Sequence, residues 1–274
     1  MSRLPSSHRP ATALPKTVQR MYDTLLKSFG PQRWWPGDTP FEIMVGAILT
    51  QNTNWGNVER AIVRLKQEKM LSPQAIRDAA IGHLASAIRP AGYFNVKARR
   101  LKNFVEFLFE RYEGDIRRMK QSPLAALRRE LLAVNGIGPE TADSILLYAL
   151  GKPVFVVDAY TRRFLRRHNL IEEKADYHDI QRMFMDALPA DTKIFNEYHA
   201  LIVRLGKDVC RPSAKCEACP LNRISYAVDR KCGICHRAFF GKEKWKIVAG
   251  PQGRKFICSG CKPLNPTKRP VHSG

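Results

Sequence analysis

The chain has 274 residues, 44% of them hydrophobic, enough for one sizeable core or for two lobes that share one. Its 46 Lys and Arg against 25 Asp and Glu give a formal charge of +21, which points to a polyanionic partner, nucleic acid before an anionic membrane surface. No run of about 18 apolar residues occurs, so no membrane-spanning helix is expected.

Residues 1–16 are polar and rich in Pro and Ser, without the apolar run of a signal peptide; they read as a disordered leader on an intracellular protein. From 17 to 226 the chain reads as a helical body. Apolar positions recur at helical spacing in Val18–Phe29, Phe41–Leu49, Val58–Leu65, Leu101–Phe109, Leu124–Val134, Ala142–Leu150 and Tyr160–His168. Pro40 can open the second of these, Gly92 and Gly114 fall in connections, and Ser122–Pro123 reads as a cap followed by a first helical residue. The apolar run Val154–Val157, bounded by Pro153 and Asp158, reads as a buried connector rather than a strand. After Tyr226 the character changes. Lys244–Val248 and Lys255–Ile257 are strand-like, with Gly250, Pro251 and Gly253 as the turn, and residues 227–262 form a small appended module ahead of a basic tail, 263–274.

The most specific local signal is the run Val134-Asn135-Gly136-Ile137-Gly138-Pro139-Glu140-Thr141-Ala142 between two helical segments. Two glycines around one apolar residue permit a tight hairpin whose amides face outward at the start of the next helix, where they suit a DNA phosphate without reading sequence. Further on, Asp158 stands at an apolar-to-helix junction, the position of an ordinary N-cap.

Taken together, hairpin and aspartate resemble the helix-hairpin-helix DNA glycosylase superfamily, the endonuclease III branch above all. The resemblance runs from about Val18 to Leu221. It includes Phe41–Thr53, similar to the family's helix that ends in a Gln-containing turn, and Ile88–Ala98, similar to the segment before the hairpin. It implies an all-α fold of two helical lobes with double-stranded DNA carrying a damaged base crossing the cleft, and a protein that acts as a monomer. By the same resemblance Asp158 lies beside the sugar of the extruded nucleotide, where a carboxylate can stabilise developing positive charge and orient water. Gln51 matches the residue that fills the gap left by the flipped base. Gly136, Ile137, Gly138 and Thr141 belong to the DNA-binding hairpin.

One departure decides the chemistry. Bifunctional members carry a hairpin lysine that forms a Schiff base, and the matching position here is Glu140, which cannot. The Gly-Ile-Gly-Pro-Glu-Thr-Ala-Asp variant, with Trp34-Trp35-Pro36 upstream, is similar to 3-methyladenine DNA glycosylase III, a monofunctional subgroup. Base hydrolysis without a lyase step is therefore expected, with Lys97 or Lys152 as a substitute amine in the rival lyase reading. A non-catalytic lesion-binding module is the third reading. Trp34 and Trp35 are candidate walls of a base pocket, since aromatic faces suit an electron-poor alkylated purine; plain core packing is the alternative for either.

All seven cysteines follow residue 209. Cys210, Cys216 and Cys219 resemble the iron–sulfur loop of endonuclease III relatives, which implies a 4Fe–4S cluster, but the fourth ligand expected within 222–226 is missing. Cys232, Cys235, Cys258 and Cys261 form two Cys-x-x-Cys pairs separated by 22 residues, the spacing of a structural zinc ribbon, a reading that rests on spacing alone. A rival assignment gives Cys232 to the cluster and leaves Cys235, Cys258, Cys261 and His236 for zinc. The module is also rich in Lys and Arg, which suits phosphate contacts.

Overall fold

A computed structural model describes residues 13–32, 34–168, 170, 171 and 174–223, together with four strands beyond them. Helix α1 (Ala13–Phe29) begins inside the expected leader, of which residues 1–12 lie outside the described residues. Helix α2 (Pro40–Leu49) opens on Pro40 as expected, with the Thr39 hydroxyl accepting from the Glu42 amide at 3.2 Å. Asn54 caps α3 (Trp55–Gln67) and Ser72 caps α4 (Pro73–Asp78); α5 (Ile81–Ala87), α6 (Phe94–Tyr112) and α7 (Ile116–Gln121) follow. Helix α8 (Leu124–Ala133) starts one residue later than the Ser122–Pro123 pair suggests. Pro123 holds the cap position, and the Ser122 hydroxyl donates to that of Tyr112 at 3.3 Å instead.

The hairpin leads into α9 (Pro139–Ser144), which runs directly into one π-helical turn, Ile145–Ala149. The connector Val154–Val157 is fully buried and in no strand, as expected. Phe155 stacks on Phe184 with ring centroids 4.0 Å apart, and the Gln181 amide satisfies the Phe155 carbonyl at 2.7 Å. An aromatic buried this completely contributes about 2–3 kcal/mol, so the junction that carries Asp158 is held from below. Helices α10 (Ala159–Arg167), α11 (Tyr177–Met185) and α12 (Thr192–Asp208) complete the body.

Two groups of helices result. In one, α2 packs on α3, α6 and α9, with α4 and α5 on α6 and α8 on α9. In the other, α1 packs on α11 and α12, and α10 on α12. The π turn touches both α2 and α12, and one continuous apolar core runs from Val18 to Leu221. Strand β1 (Arg230–Lys231) pairs antiparallel with β2 (Ala238–Phe239), and β3 (Trp245–Gly250) with β4 (Gly253–Cys258). The second hairpin coincides with the strand-like runs of the sequence. Cys232, Cys235 and Cys261, and the tail, lie outside the described residues. No helix among the described residues is long and apolar enough to cross a membrane.

Candidate active site

Between the two groups lies a cleft of about 1060 Å³, walled by the 50–55 turn, the hairpin, the 156–160 junction and α12. Asp158 sits at its floor, 8% exposed. It is also the N-cap of α10: Oδ1 accepts from the Thr161 amide at 2.7 Å and from the Thr161 hydroxyl at 2.8 Å. Oδ2 faces His199 Nε2 at 3.5 Å. Burial alone would raise the pKa of this carboxyl, but the His199 charge, the His199 contact and the two Thr161 hydrogen bonds together hold it below the usual carboxylate range. The contacts that cap α10 thus also fix the carboxylate in the cleft and help keep it ionised. His199 is oriented in turn by a hydrogen bond between Nδ1 and the Tyr148 hydroxyl from the π turn, the sort of local deformation common at functional sites.

The hairpin meets the 50–55 turn through Gln51. Its Nε2 donates to the Gly136 carbonyl at 3.0 Å and to Thr141 Oγ1 at 2.9 Å, and its Oε1 accepts from Arg100. Gly136 has φ 93°, and a Cβ there would lie 2.4 Å from Arg100 Cγ, so only glycine fits. Ile137 turns inward to anchor the hairpin, while Gly138 holds the cap position of α9 without a side chain over the leading amides. Next to Gln51, Asn52 is exposed at the cleft rim in the left-handed region, φ 54°.

Glu140, the second residue of α9, lines the same cleft. Part of it is open to solvent, yet the crowding of protein around the carboxyl, then the negative charge of Asp158, push its pKa up to about 7, against the counter-pull of His199 and Arg162. Trp34 and Trp35 also line the cleft. They form one aromatic cluster with Trp55 and Tyr148, Trp35 lying 5.1 Å from the Trp55 ring and 5.0 Å from that of Tyr148. Each ring both packs on the core and borders the cleft.

Lys97 and Lys152 are not among the cleft-lining residues. Lys97 is 1% exposed and donates to the carbonyls of Leu49 at 2.8 Å and Ala91 at 2.7 Å. Lys152 donates to the Ser122 carbonyl at 2.8 Å. Neither can serve as the substitute amine, because each is tethered in a wall behind the site. Among the described residues the lysine that does line the cleft is Lys207, with Nζ 5.6 Å from the Trp34 ring centroid. Sequence reading missed it, along with His199, Tyr148, Trp55, Arg100 and Asn52.

The cysteine loop is tied to α10. Arg163 donates to the carbonyls of Cys210 and Gly206, both at 2.8 Å, and Arg167 to the Pro212 carbonyl at 2.7 Å and to Cys210 Sγ at 3.4 Å. Cys210 is buried, Cys219 half-buried and Cys216 exposed. Burial, then the neighbouring Cys210 and Cys216, raise the Cys219 thiol above its ordinary pKa. No group of three or more His, Cys, Asp or Glu among the described residues is arranged to hold a metal ion.

A helical hairpin braced across a cleft from a capped, ionised aspartate is the arrangement of the helix-hairpin-helix DNA glycosylases. The description "HhH-GPD superfamily base excision DNA repair protein" matches residues 45–190; the chain belongs to this family and is a DNA repair glycosylase, an enzyme. It is 50% identical, over 76% of its length and 94% of the other's, to a Methanocaldococcus jannaschii protein whose name assigns it provisionally to the DNA repair glycosylases. It is similar to the crystal structure of Helicobacter pylori 3-methyladenine DNA glycosylase (MagIII) bound to 1,N6-ethenoadenine, with 30% identity and TM-score 0.60 over 71% of this chain and 95% of that one. Its fold also matches a non-covalent endonuclease III–DNA complex, TM-score 0.66 at 23% identity, over 76% and 93% of the two chains.

Proposed function

We propose that this glycosylase is monofunctional: it extrudes a damaged base, an alkylated purine by preference, from double-stranded DNA and hydrolyses the N-glycosidic bond with water. The observation that carries the reading is the floor of the cleft. A buried carboxylate is kept ionised in the cleft, and the hairpin position where an imine-forming amine would be needed for strand cleavage holds a second carboxylate, Glu140, which lines the same cleft. Glycosidic cleavage develops positive charge on the sugar, and a fixed anion in a water-poor site stabilises that charge without reorganising. The Trp34–Trp35–Trp55 cluster offers aromatic faces for an electron-poor base, and the likeness to the enzyme bound to 1,N6-ethenoadenine supports the same substrate class. The hairpin residues Gly136, Ile137, Gly138 and Thr141 would meet the DNA backbone. Gln51, the residue matched by resemblance to the gap-filling position, is held in place by three hydrogen bonds, two of them to the hairpin, so its exposed neighbour Asn52 at the rim would fill the space the base leaves.

A bifunctional reading survives in one form, through Lys207. It stands eight residues beyond His199 on α12, roughly 12 Å along the helix axis, at the base end of the cleft rather than beside Asp158.

For the cysteines, a 4Fe–4S cluster needs four thiolates; the described loop offers Cys210, Cys216 and Cys219, and Cys232, the fourth ligand in the rival assignment, lies outside the described residues, so no step is routed through the cluster. The zinc reading rests on order along the chain. Cys232 and Cys235 fall in sequence between β1 and β2, and Cys258 ends β4 with Cys261 after it, so each pair follows a strand, as in a two-knuckle ribbon. Metal analysis of the purified protein would find about one zinc per chain if this is right.

The deciding experiment is base release from duplexes carrying single defined lesions, wild type beside Asp158→Asn, read with and without alkali and with borohydride trapping. Release of an alkylated purine, breaks only after alkali, and a drop of about 10³-fold in the variant with DNA binding kept are expected. That drop corresponds to about 4 kcal/mol for a unit charge at 4 Å in a partly screened site. A trapped covalent adduct would establish the lyase reading, and binding without release of any lesion would make the protein a binding module.

A further inference from the structure

Hydrolysing a glycosidic bond with water asks two things of a site. An anion must face the sugar as positive charge builds up, and a base must take a proton from the attacking water. The two tasks want carboxylates of opposite character, one that stays ionised and one that exchanges protons near neutrality. Asp158 suits only the first. Its Oδ1 is occupied by the Thr161 amide and hydroxyl, its Oδ2 faces His199, and its role as the α10 cap prevents it from swinging.

Glu140 is built the other way. It lines the same cleft on a different element, α9, and no hydrogen bond or ion pair engages its carboxylate among the described residues, although Arg162 and Arg100 line the same walls. Those arginines are committed elsewhere, Arg100 to Gln51 and Arg162 to the Ala175 carbonyl at 2.8 Å, so a glutamate unpaired in the cleft and close enough to Asp158 to feel its charge is a group held available. We propose that Glu140 is the general base, taking the proton of the water whose oxygen bonds to C1′ while Asp158 stabilises the sugar cation. The C1′–N bond breaks with its electron pair going to the base. A purine nucleotide alkylated at N3 or N7 carries positive charge and its base departs neutral, so for that class no acid is required, and the proton on Glu140 passes to solvent. This inference rests on the hydrolytic glycosylase reading of the cleft.

The charged and titratable groups facing Glu140 are Asp158, Arg162, His199, Tyr148, Tyr177 and Arg100. Burial holds both tyrosine hydroxyls well above their ordinary range and the aspartate is held low, so neither kind titrates near neutrality. A base with its pKa raised to about 7 is protonated and idle below that value, so the single-turnover rate should climb through pH 7 to a plateau.

The test measures single-turnover release of an alkylated purine from duplex DNA between pH 5.5 and 9, in wild type, Glu140→Gln and Glu140→Asp, with DNA affinity as the check on folding. Glu140→Gln should lose about 100-fold at the plateau and lose the climb through pH 7, with affinity kept. Glu140→Asp should retain the climb at reduced rate. Because imidazole also changes charge in this range, His199→Gln is the control: its climb should persist and move upward, since His199 helps hold the Glu140 pKa down. A Glu140→Gln protein that binds DNA and keeps the wild-type rate and profile overturns the inference while leaving the glycosylase intact. Wild-type protein that releases no lesion overturns the underlying reading instead.

Discussion

Replacing Lys97 with methionine sets two opposing effects against each other. The ammonium donates to the Leu49 carbonyl, at the C-terminal end of α2 where a cation is favoured, and to the Ala91 carbonyl. Each orphaned carbonyl costs about 1–3 kcal/mol. Against that, burial first and the Arg100 charge second push the Lys97 pKa from 10.5 to about 8. Between those values the unfolded chain holds a proton that the folded chain has released, so stability rises with pH across the window, and the penalty for burying the charge is complete below it. At about 1.4 kcal/mol per pH unit the full penalty is about 3 kcal/mol, an order-of-magnitude figure. At neutral pH the loss of two hydrogen bonds and the relief of this penalty nearly cancel, and Lys97→Met should be only modestly less stable than wild type. At pH 10 the wild type has shed most of the penalty and the gap should widen by about 2–3 kcal/mol. Urea unfolding of both proteins at pH 7 and pH 10 measures it, because every group the two proteins share drops out of the difference. A gap that is the same at both pH values would show that Lys97 keeps its proton in the fold and would refute the reasoning. Base release per folded molecule should be unchanged, since the side chain lies behind the site.

Gly136→Ala should cost about 2 kcal/mol in thermal unfolding and weaken DNA binding, because alanine is strained at φ 93° and its methyl displaces Arg100, the partner of Gln51; full stability with full affinity would show that the brace is dispensable. Gln51 and Asn52 separate in a pair of variants. Gln51→Ala, losing three hydrogen bonds, should destabilise the protein by about 1–3 kcal/mol and loosen the hairpin. Asn52→Ala should leave stability alone and slow base release from fully paired duplex more than from a lesion inside a mismatch bubble. The reverse pattern would make Gln51 the residue that enters the base stack.

The parts of this site that were legible in the sequence are those whose geometry is local. A hairpin needs its two glycines within a few residues of each other, a capping aspartate must precede its own helix, and a proline opens α2 from the first turn. Those signals located Gly136, Gly138, Asp158 and the start at Pro40, and the structure brings the first three into one cleft. What escaped is what arrives from elsewhere in the chain. His199 and Lys207 sit on α12, where they are ordinary polar residues of an amphipathic helix until the fold brings them to the cleft, His199 against Asp158 and Lys207 against Trp34. Trp55 opens α3 ahead of the periodic run Val58–Leu65 that marks this helix in the sequence, and only the packing of its ring against Trp35 makes it part of the pocket wall. Lys97 was misread as a free amine because no sequence pattern reveals that a lysine will be sealed under two carbonyls.

The Tyr198 hydroxyl donates to the carbonyl of Val18 at 3.0 Å, and the Gln32 amide to Glu197 at 2.7 Å, so α1 and the turn after it are held by residues made near the end of the body. During translation α1 emerges with no surface to settle on, while the stretch from α2 to α9 already has its partners within itself and can consolidate on the ribosome. The floor of the cleft, with α10 and α12, closes only after about residue 208 has left the exit tunnel. A nascent chain therefore carries its hairpin before its aspartate has met His199 on α12, and the cleft is complete only at the last step of folding.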